Sequence, residues 1–321
     1  MRQIGKIPYQ TAFVVNPTAG EGKAKHTWSR VESELQKNGQ QYRVYFTSSA
    51  GEATGLAARA AQEGAKLIVA VGGDGTLRET VSGLDLGKNV FGAIPAGTGN
   101  GFVRSCKIPL HWRKALRGLS CWNPQPVDLG IINNTVFLNI IGFGFDGAVV
   151  EKAATKYRRL KGYLAYLAAF LDHAGKFKRF HCKARCNGFY FEENQAILAF
   201  VANGSYYGGK LRIAPQAAID DGYLDLCLFR RRNIPEVIGL GARVAIRWHL
   251  SSRATLVLKG RKLYLETRQK VPAHIDGDLV EMSSAEIKIK PSALRILAPE
   301  LLNAAPQKEL SLSLDYLKES D

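Results

Sequence analysis

The sequence lacks the features of exported and membrane-spanning proteins. Its five cysteines are odd in number, and no two have the Cys-x-x-Cys spacing of zinc sites and redox motifs. The first ten residues contain no apolar segment of the kind found in secretion signals. No stretch approaches the roughly 20 uninterrupted apolar residues of a membrane-spanning helix. We therefore expect a cytoplasmic protein in a reducing compartment.

Acidic residues are scarce, since 28 Asp and Glu stand against 44 Lys and Arg and give a formal net charge of +16. Residues 152–185 hold ten basic residues and one acidic residue, and residues 230–270 hold eleven and two. Windows so one-sided favour contact with an anionic partner. Nucleic acid is not the expected partner, because no DNA-binding or RNA-binding motif accompanies the basic residues.

The length of 321 residues suits two domains, because domains typically contain about 100–200 residues. Residues 1–130 alternate short β-branched or aromatic runs with segments of helical spacing. The predicted strands are Thr11–Val15, Tyr42–Phe46, Leu67–Val71 and Val90–Ile94. This alternation predicts an α/β domain with a parallel sheet and helices on both faces.

Residues 131–321 are predicted to form a second, β-rich domain. Its predicted strands are Val136–Ile141, Phe180–Cys186, Ala196–Ala202 and Leu224–Phe229. Many strands separated by polar turns indicate a β-sandwich-like fold. A helix predicted at Tyr163–His173 has an apolar face that either packs in the core or lines a pocket. The tail from Pro299 alternates leucine with polar residues, which leaves open a return to the first domain.

Three loops that follow predicted strands are rich in glycine, namely residues 16–23, 72–76 and 95–100. Glycine lets the backbone approach a ligand closely and offers N–H groups to an anion, and a following helix adds its positive N-terminal end. In parallel α/β sheets, ligands bind beyond the carboxyl ends of the strands. The three loops together therefore predict a nucleotide or phosphate site. It is not a Walker loop, because no G-x-x-x-x-G-K-[ST] run is present.

The stretch Gly72–Thr76 reads GGDGT and places one carboxylate among three glycines. It resembles the signature of the diacylglycerol kinase catalytic-domain family, whose lipid kinases include bacterial diacylglycerol kinase, sphingosine kinase and ceramide kinase. Further similar segments follow in the family's order: Asn16–Gly20, Pro95–Asn100, Val127–Gly130, Asn139–Gly147, Asp220–Gly222 and Ile275–Asp278. The resemblance therefore extends over nearly the whole chain.

The resemblance implies a Rossmann-like first domain of the NAD-kinase and diacylglycerol-kinase type and a β-sandwich-like second domain that binds a lipid substrate. It implies an ATP-dependent kinase that uses Mg²⁺ to transfer the γ-phosphate to a lipid hydroxyl. Diacylglycerol, giving phosphatidic acid, or a sphingoid or related lipid is the expected acceptor. With this resemblance, an anionic membrane becomes the preferred partner of the basic residues, so that the protein would be cytoplasmic and peripherally membrane-associated. The sequence leaves open whether the chain forms a homodimer.

Two alternatives to a lipid kinase remain at this stage. One is an NAD kinase-like phosphotransferase, whose acceptor is a soluble ribose, because GGDGT also occurs in NAD kinases. The other is a catalytically weak nucleotide-binding protein at the membrane surface.

The resemblance assigns roles to individual residues. The expected ATP-binding residues are Asn16, Pro17, Thr18, Ala19, Gly20, Lys23, Thr47, Gly72, Gly73, Asp74, Gly75, Thr76, Glu79, Gly97 and Thr98. The expected catalytic carboxylates are Asp74, Asp128 and Asp278, with Asp278 as general base and Asp74 also holding Mg²⁺ with the phosphates. A structural Mg²⁺ is expected at Asp221 and the backbone near Tyr223. An aspartate before Gly222 is also typical of a plain turn.

Two residues depart from the family pattern. Gly101 stands where many bacterial diacylglycerol kinases have an aspartate, and Asp278 stands where they usually have the glutamate proposed as general base. Asp276-Gly277-Asp278 is also compatible with a simple hairpin turn, because Asp-Gly is a common turn pair. These departures put the substrate class in question more than the kinase chemistry.

Overall fold

The computed structural model describes residues 5–157, 160, 163–173, 179–186, 188–207, 209, 211–230 and 255–301. These residues form two compact units, one from the chain up to Leu129 together with the stretch from Pro291, the other from Gly130–Lys290. The chain passes between the units within two strands, β5 (Pro124–Ile132) and β15 (Asp278–Leu297). The return to the first unit thus begins earlier than Pro299, and most of the tail after Pro299 lies outside the described residues.

The first unit alternates strands and helices, as predicted. Its elements are β1 (Thr11–Val15), α1 (Lys23–Lys37), β2 (Tyr42–Phe46), α2 (Glu52–Gln62), β3 (Leu67–Gly72), α3 (Asp74–Ser82), β4 (Val90–Pro95), α4 (Gly101–Ser105) and α5 (Trp112–Cys121). The sheet order is β2-β1-β3-β4, the end of β15 lies beside β4, and all pairs are parallel. Because β2 and β3 lie on opposite sides of β1, the connections after β1 and β3 diverge and open a crevice at their carboxyl ends.

Helices cover both faces of this sheet because its central strands are apolar on both faces. On β1, Phe13 and Val15 share one buried cluster with residues of α1 and α5, including Trp28, Leu35 and Leu116. The alternate positions Ala12 and Val14 belong to a second cluster with residues of α2, namely Ala53, Ala57 and Ala60. The period-two alternation of the strand therefore separates two hydrophobic cores.

The second unit is β-rich and contains two described helices. Its elements are β6 (Thr135–Phe137), β7 (Ile140–Gly144), α6 (Phe145–Ala154), α7 (Tyr163–His173), β8 (Phe180–Cys186), β9 (Phe189–Ala202), β10 (Tyr206–Tyr207), β11 (Leu211–Arg212), β12 (Leu224–Arg230), β13 (Thr255–Gly260) and β14 (Lys262–Ile275). The long strands β9 and β14 each pair with both β7 and β8, all antiparallel. These four strands share one buried core with β12, β13 and β15, in keeping with the predicted β-sandwich-like fold.

The predicted strand Val136–Ile141 is two strands in the structure. β6 ends at Phe137 and β7 begins at Ile140, with a short connection between them. The cause is the carboxylate of Asp276, which accepts the backbone N–H groups of residues 138, 139 and 140 at 2.7, 3.0 and 2.9 Å. These N–H groups are directed at a carboxylate, so the chain cannot continue as one regular strand here.

The predicted helix Tyr163–His173 has those bounds in the structure as α7. Ala165 and Ala169 of this helix are buried in one cluster with Phe145 and Val149 of α6. Phe170 packs against that cluster, whereas Leu164 is exposed. Part of the predicted apolar face therefore packs in the core. The structure describes the backbone of Leu167 and Leu171 but not their side chains, so it does not test the prediction for these two residues.

All five cysteines are free thiols, and four of them are buried. Burial raises the pKa of Cys182 to about 12 and that of Cys186 to about 11, so both thiols stay protonated near neutral pH. Among the helices that the structure describes, none is long and apolar enough to cross a membrane.

Two phenylalanines of β9 allow a test of the buried cluster that β9 forms with α6 and α7. Phe200 is 1% exposed and Phe189 is 49% exposed. We expect Phe200→Ala to lower the free energy of unfolding by about 3–5 kcal/mol, because it leaves a cavity. Phe189→Ala, the control on the same strand, should lower it by less than about 1 kcal/mol. Urea denaturation followed by circular dichroism measures both, and equal losses would contradict the described core.

Candidate functional site

The three glycine-rich loops come together at the carboxyl ends of β1, β3 and β4. The backbone N–H of Asn16 donates to the carbonyl of Val71 at 3.1 Å, and its side-chain amide donates to the Thr76 hydroxyl at 3.1 Å. The N–H groups of Ala96 and Gly97 donate to the carbonyl of Gly72 at 2.8 and 3.1 Å. The loop cluster, residues 16–22, 72–76 and 95–100, is therefore one assembly at the crevice between β1 and β3.

Glycine is required at two contacts within the loop cluster. A Cβ on Gly97 would lie 2.4 Å from the Cα of Gly73, a distance that real Cβ atoms do not adopt. Gly20 has a left-handed φ of 61°, and a Cβ there would lie 2.2 Å from the carbonyl oxygen of Ala96. Because backbones touch at these points, the loop cluster offers a ligand mainly main-chain atoms.

The first loop is shaped by Asn16 and leads into α1. The side-chain oxygen of Asn16 accepts from the N–H of Thr18 at 3.1 Å and from its hydroxyl at 2.8 Å. The N–H groups of residues 22–25 donate to carbonyls of the same segment at 3.1–3.2 Å. The start of α1 has no acidic residue in its first turn and carries the exposed Lys23. Because these N–H groups already have acceptors, Lys23 is the main group at the start of α1 that would attract an anion.

Asp74 joins the start of α3 to the start of α4. One carboxylate oxygen accepts the N–H of Gly101 and the other accepts the N–H of Phe102, both at 3.1 Å. Burial raises the pKa of Asp74, and these N–H groups partly oppose the rise. The carboxylate therefore caps the start of α4. Gly101, one of the two residues that depart from the expected family pattern, makes a buried backbone contact to Asp74.

Glu79 supports the neighbouring helix α2, and Thr47 ties the end of β2 to β1. The carboxylate of Glu79 accepts the N–H groups of Gly51 and Ala53 at 2.9 and 3.3 Å, so it caps the start of α2. Thr47 is buried, and its N–H donates to the carbonyl of Val15 at 2.9 Å. Both contacts hold backbone in place, and a direct contact of either residue with ATP stays a prediction.

The two other predicted catalytic carboxylates lie in different units. Asp128, on β5 in the first unit, is 1% exposed and accepts the N–H of Ser292 at 2.7 Å. Asp278 lies in the second unit, is exposed, and pairs with Ile275 as the first residue of β15. Asp276 and Gly277 have φ values of 50° and 98° and form the turn between them. The backbone of this segment therefore forms the hairpin turn that the Asp-Gly pair allowed. The role of Asp278 as general base stays a prediction.

The hairpin that carries Asp278 rests on a buried network that the sequence analysis did not identify. The N–H of Gly277 donates to Nδ1 of His274 at 3.2 Å, so the ring proton lies on Nε2, which contacts Asp146. Tyr207 donates its hydroxyl to the other oxygen of Asp146 at 2.7 Å and stacks on His274. Asp146 lies in Asn139–Gly147, one of the segments that resemble the family, and this resemblance was the only sequence signal for the network. His274 lies in no motif.

Residues 142–147 read Gly-x-Gly-x-x-Gly, follow β7 and open α6, but their glycines serve packing. A Cβ on Gly142 would lie 2.0 Å from a carboxylate oxygen of Asp146, and one on Gly147 would lie 2.6 Å from the backbone nitrogen of Ala273. β7 pairs only with antiparallel strands among the described residues. A dinucleotide fingerprint requires a parallel strand-helix-strand unit, so this run is not one.

The predicted structural metal residue Asp221 contacts a lysine. The Nζ atom of Lys259 lies 2.6 Å from a carboxylate oxygen of Asp221 and 3.9 Å from one of Asp225. The other oxygen of Asp221 accepts the N–H of Tyr223 at 2.9 Å. Burial raises the pKa of Asp225 to about 6, with Lys259 opposing the rise. Within the described part of the chain, no three His, Cys, Asp or Glu side chains are grouped so that they could hold a metal ion.

Comparison with known proteins assigns both parts of the chain. Residues 10–132 match the family model described as diacylglycerol kinase catalytic domain. Residues 139–298 match the model described as YegS C-terminal NAD kinase beta sandwich-like domain. The two matches lie side by side in the sequence and together include the loop cluster and the hairpin at Asp278.

Curated relatives align over most of their length. A diacylglycerol kinase of Bacillus subtilis (strain 168) is 28% identical over 277 residues, which are 85% of this chain and 91% of that protein. A diacylglycerol kinase of Staphylococcus carnosus (strain TM300) is 26% identical over 268 residues, which are 83% of this chain and 87% of that protein.

Solved structures share the fold. A crystal structure described as a diacylglycerol kinase from Bacillus anthracis (strain Sterne) superposes with a TM-score of 0.69 at 20% identity, and it covers 92% of this chain and 98% of that one. A second structure from the same strain gives a TM-score of 0.75 at 22% identity, with 92% and 99% covered. With both domain matches in the expected order, the chain belongs to the diacylglycerol kinase catalytic-domain family.

Proposed function

We propose that this protein is an ATP-dependent lipid kinase that transfers the γ-phosphoryl group of ATP to a lipid hydroxyl. The observation that carries the proposal is the loop cluster at the crevice between β1 and β3, with the carboxylate of Asp74 fixed beside it. Family membership and the names of the relatives support the same chemistry.

The nucleotide would bind against the main-chain surface of the loop cluster. Lys23 attracts the phosphates at the first loop, where no acidic side chain of the first turn of α1 opposes it. Magnesium suits a site of this kind, because it is usually held by one or two carboxylates, phosphate oxygens and water. In the loop cluster, Asp74 is the carboxylate that backbone N–H groups hold in place for this role, whereas Glu21 is exposed. Magnesium bound in this way does not require a site made entirely of protein side chains.

Phosphoryl transfer depends mainly on positioning and charge neutralisation, which agrees with a site of backbone loops and few carboxylates. The lipid hydroxyl oxygen forms a bond to the γ-phosphorus while the bond from phosphorus to the bridging oxygen of ADP breaks. The hydroxyl proton passes to a carboxylate, and we assign this acceptance to Asp278. Asp128 would add negative charge that helps to retain the metal.

The acceptor we propose is diacylglycerol, giving phosphatidic acid, or a sphingoid or related lipid, presented at an anionic membrane surface. The relatives named as diacylglycerol kinases favour the first. The net charge of +16 favours an anionic surface, because each Lys or Arg close to such a membrane contributes about 1 kcal/mol.

The test is a transfer assay with radiolabelled ATP and a panel of acceptors. Neutral vesicles with and without added anionic phospholipid would carry diacylglycerol, a sphingoid base or ceramide. Phosphatidylglycerol, which is itself anionic, would be offered in separate vesicles, and NAD in solution. We expect a labelled lipid, formed faster on anionic vesicles. Label in NAD alone would replace the proposal by an NAD kinase activity, and no labelled product with any acceptor would leave a nucleotide-binding protein without kinase activity.

Asp74→Asn should reduce turnover by about a hundredfold or more, because it removes a charge placed for the developing phosphate charge and its metal. The amide has only one acceptor oxygen, so the N–H of Gly101 or of Phe102 loses its partner and the free energy of unfolding should fall by about 1–3 kcal/mol. Steady-state kcat and a urea melt measure the two effects. Asp85→Asn, at an exposed aspartate of the same unit, is the control, and wild-type turnover in Asp74→Asn would remove Asp74 from the mechanism.

Gly97→Ala should lower kcat/KM for ATP by about a hundredfold, because its methyl group forces the second and third loops apart and displaces the nucleotide by about an ångström. Gly55→Ala is the matched control, since Gly55 lies in α2 and a Cβ there meets no atom within 4 Å. Circular dichroism checks that both variants are folded. Equal kinetics of the two variants would contradict a role of the loop cluster in ATP binding.

Asp278→Asn should lower kcat by about 10²–10⁴ with little change in ATP affinity, because an amide keeps the hairpin but cannot accept a proton. Glu281→Gln, an exposed carboxylate further along β15, is the control. The measurement is kcat at saturating lipid together with ATP binding by calorimetry. Nearly unchanged turnover would make Asp278 a turn residue and leave Asp74 as the leading base.

A further inference from the structure

Two carboxylates of the second unit are buried around one ammonium group. Asp221 precedes β12, Asp225 lies on β12, and Lys259 stands directly opposite Asp225 on the antiparallel strand β13. The side chains of the two aspartates are 3% and 2% exposed, and that of Lys259 is 16% exposed. We call these three residues the lysine-aspartate cluster.

Burial of two carboxylates requires a compensating cation nearby, because each loses its hydration and the two repel each other. The Nζ atom of Lys259 provides a positive charge 2.6 Å from Asp221 and 3.9 Å from Asp225. The ring of Tyr223 makes a cation–π contact with Lys259, because its centroid lies 5.8 Å from the same nitrogen. The ammonium group of Lys259 is therefore a cation that lies close to both buried carboxylates.

A divalent ion does not fit beside the same carboxylate. Both oxygens of Asp221 already have donors, Lys259 on one and the N–H of Tyr223 on the other. Magnesium needs oxygen ligands at about 2.0–2.1 Å in octahedral geometry, and an ammonium group in contact with the same oxygen would repel it. Asp220, although adjacent in sequence, does not complete a group of three metal-binding side chains among the described residues.

We propose that in this protein the side chain of Lys259 takes the structural part that the family resemblance assigns to a magnesium ion at Asp221. The second unit then needs no divalent cation for its stability. A covalently attached cation cannot be removed by chelators or diluted away, whereas a bound ion can. The proposal concerns folding stability and does not depend on the proposed lipid kinase activity.

The first test uses the whole chain without nucleotide. Thermal unfolding is followed after dialysis against EDTA and again with millimolar MgCl₂. We expect the two Tm values to agree within about 1 °C, because no bound ion contributes to the folded state. A Tm that falls on chelation and recovers with Mg²⁺ would overturn the proposal.

The second test removes the ammonium group. Lys259→Met keeps the length of the side chain, and breaking a buried ion pair should lower Tm by roughly 10 °C. The matched control is Lys262→Met, which breaks an exposed pair with Glu286 at 2.8 Å a few residues further on and should change Tm by less than about 2 °C. Equal shifts in the two variants would overturn the proposal.

A double variant replaces this test if Lys259→Met does not fold. The double variant Asp221→Asn/Lys259→Met removes one negative charge with the positive one, and we expect it to fold and to melt above the single variant. A double variant that is no more stable than Lys259→Met would show that the lysine acts through its packing and not its charge, which would also overturn the proposal.

Discussion

The close approach of backbones at glycine is the constraint on which the first unit's site depends. A Cβ on Gly97 would collide with the Cα of Gly73, and one on Gly20 would collide with the carbonyl oxygen of Ala96. These contacts bring loops from three separate strands into one surface at the crevice beside β1. Asp74 then ties that surface to α4. A site made of main chain suits a phosphate-bearing ligand, because it offers dipoles that need no side-chain reorganisation.

The carboxylates of Asp276, Asp146 and Asp221 organise the second unit in a comparable way, since each accepts from more than one donor. Asp276 accepts three backbone N–H groups and thereby ends one strand and starts another. Asp146 is held by Tyr207 and His274, and the latter also holds the turn before Asp278. Asp221 is held by Lys259. Each arrangement avoids the penalty of an uncompensated buried charge and fixes the local chain path.

Sequence reasoning succeeded where local patterns decide the structure. β1, β2, β8 and α7 have their predicted bounds, because runs of β-branched or helix-favouring residues with clear ends specify them. Sequence reasoning missed structure that depends on contacts with residues far away in the chain. It predicted one strand where the structure has a break between Phe137 and Ile140. That break depends on Asp276, more than a hundred residues later in the chain. No periodicity in the segment itself reports such a contact.

The sequence by itself indicated the family, through the order of motifs around GGDGT, and it predicted the glycine-rich loops as a ligand site, because the spacing of glycines and carboxylates within a loop is a local property. The tertiary structure alone decided what individual polar residues do: Glu79 caps α2, Gly101 donates to Asp74, and Lys259 faces Asp221. The physical reason is that hydrogen bonds and ion pairs depend on which atoms meet. For residues far apart in sequence, only the folded chain brings those atoms together.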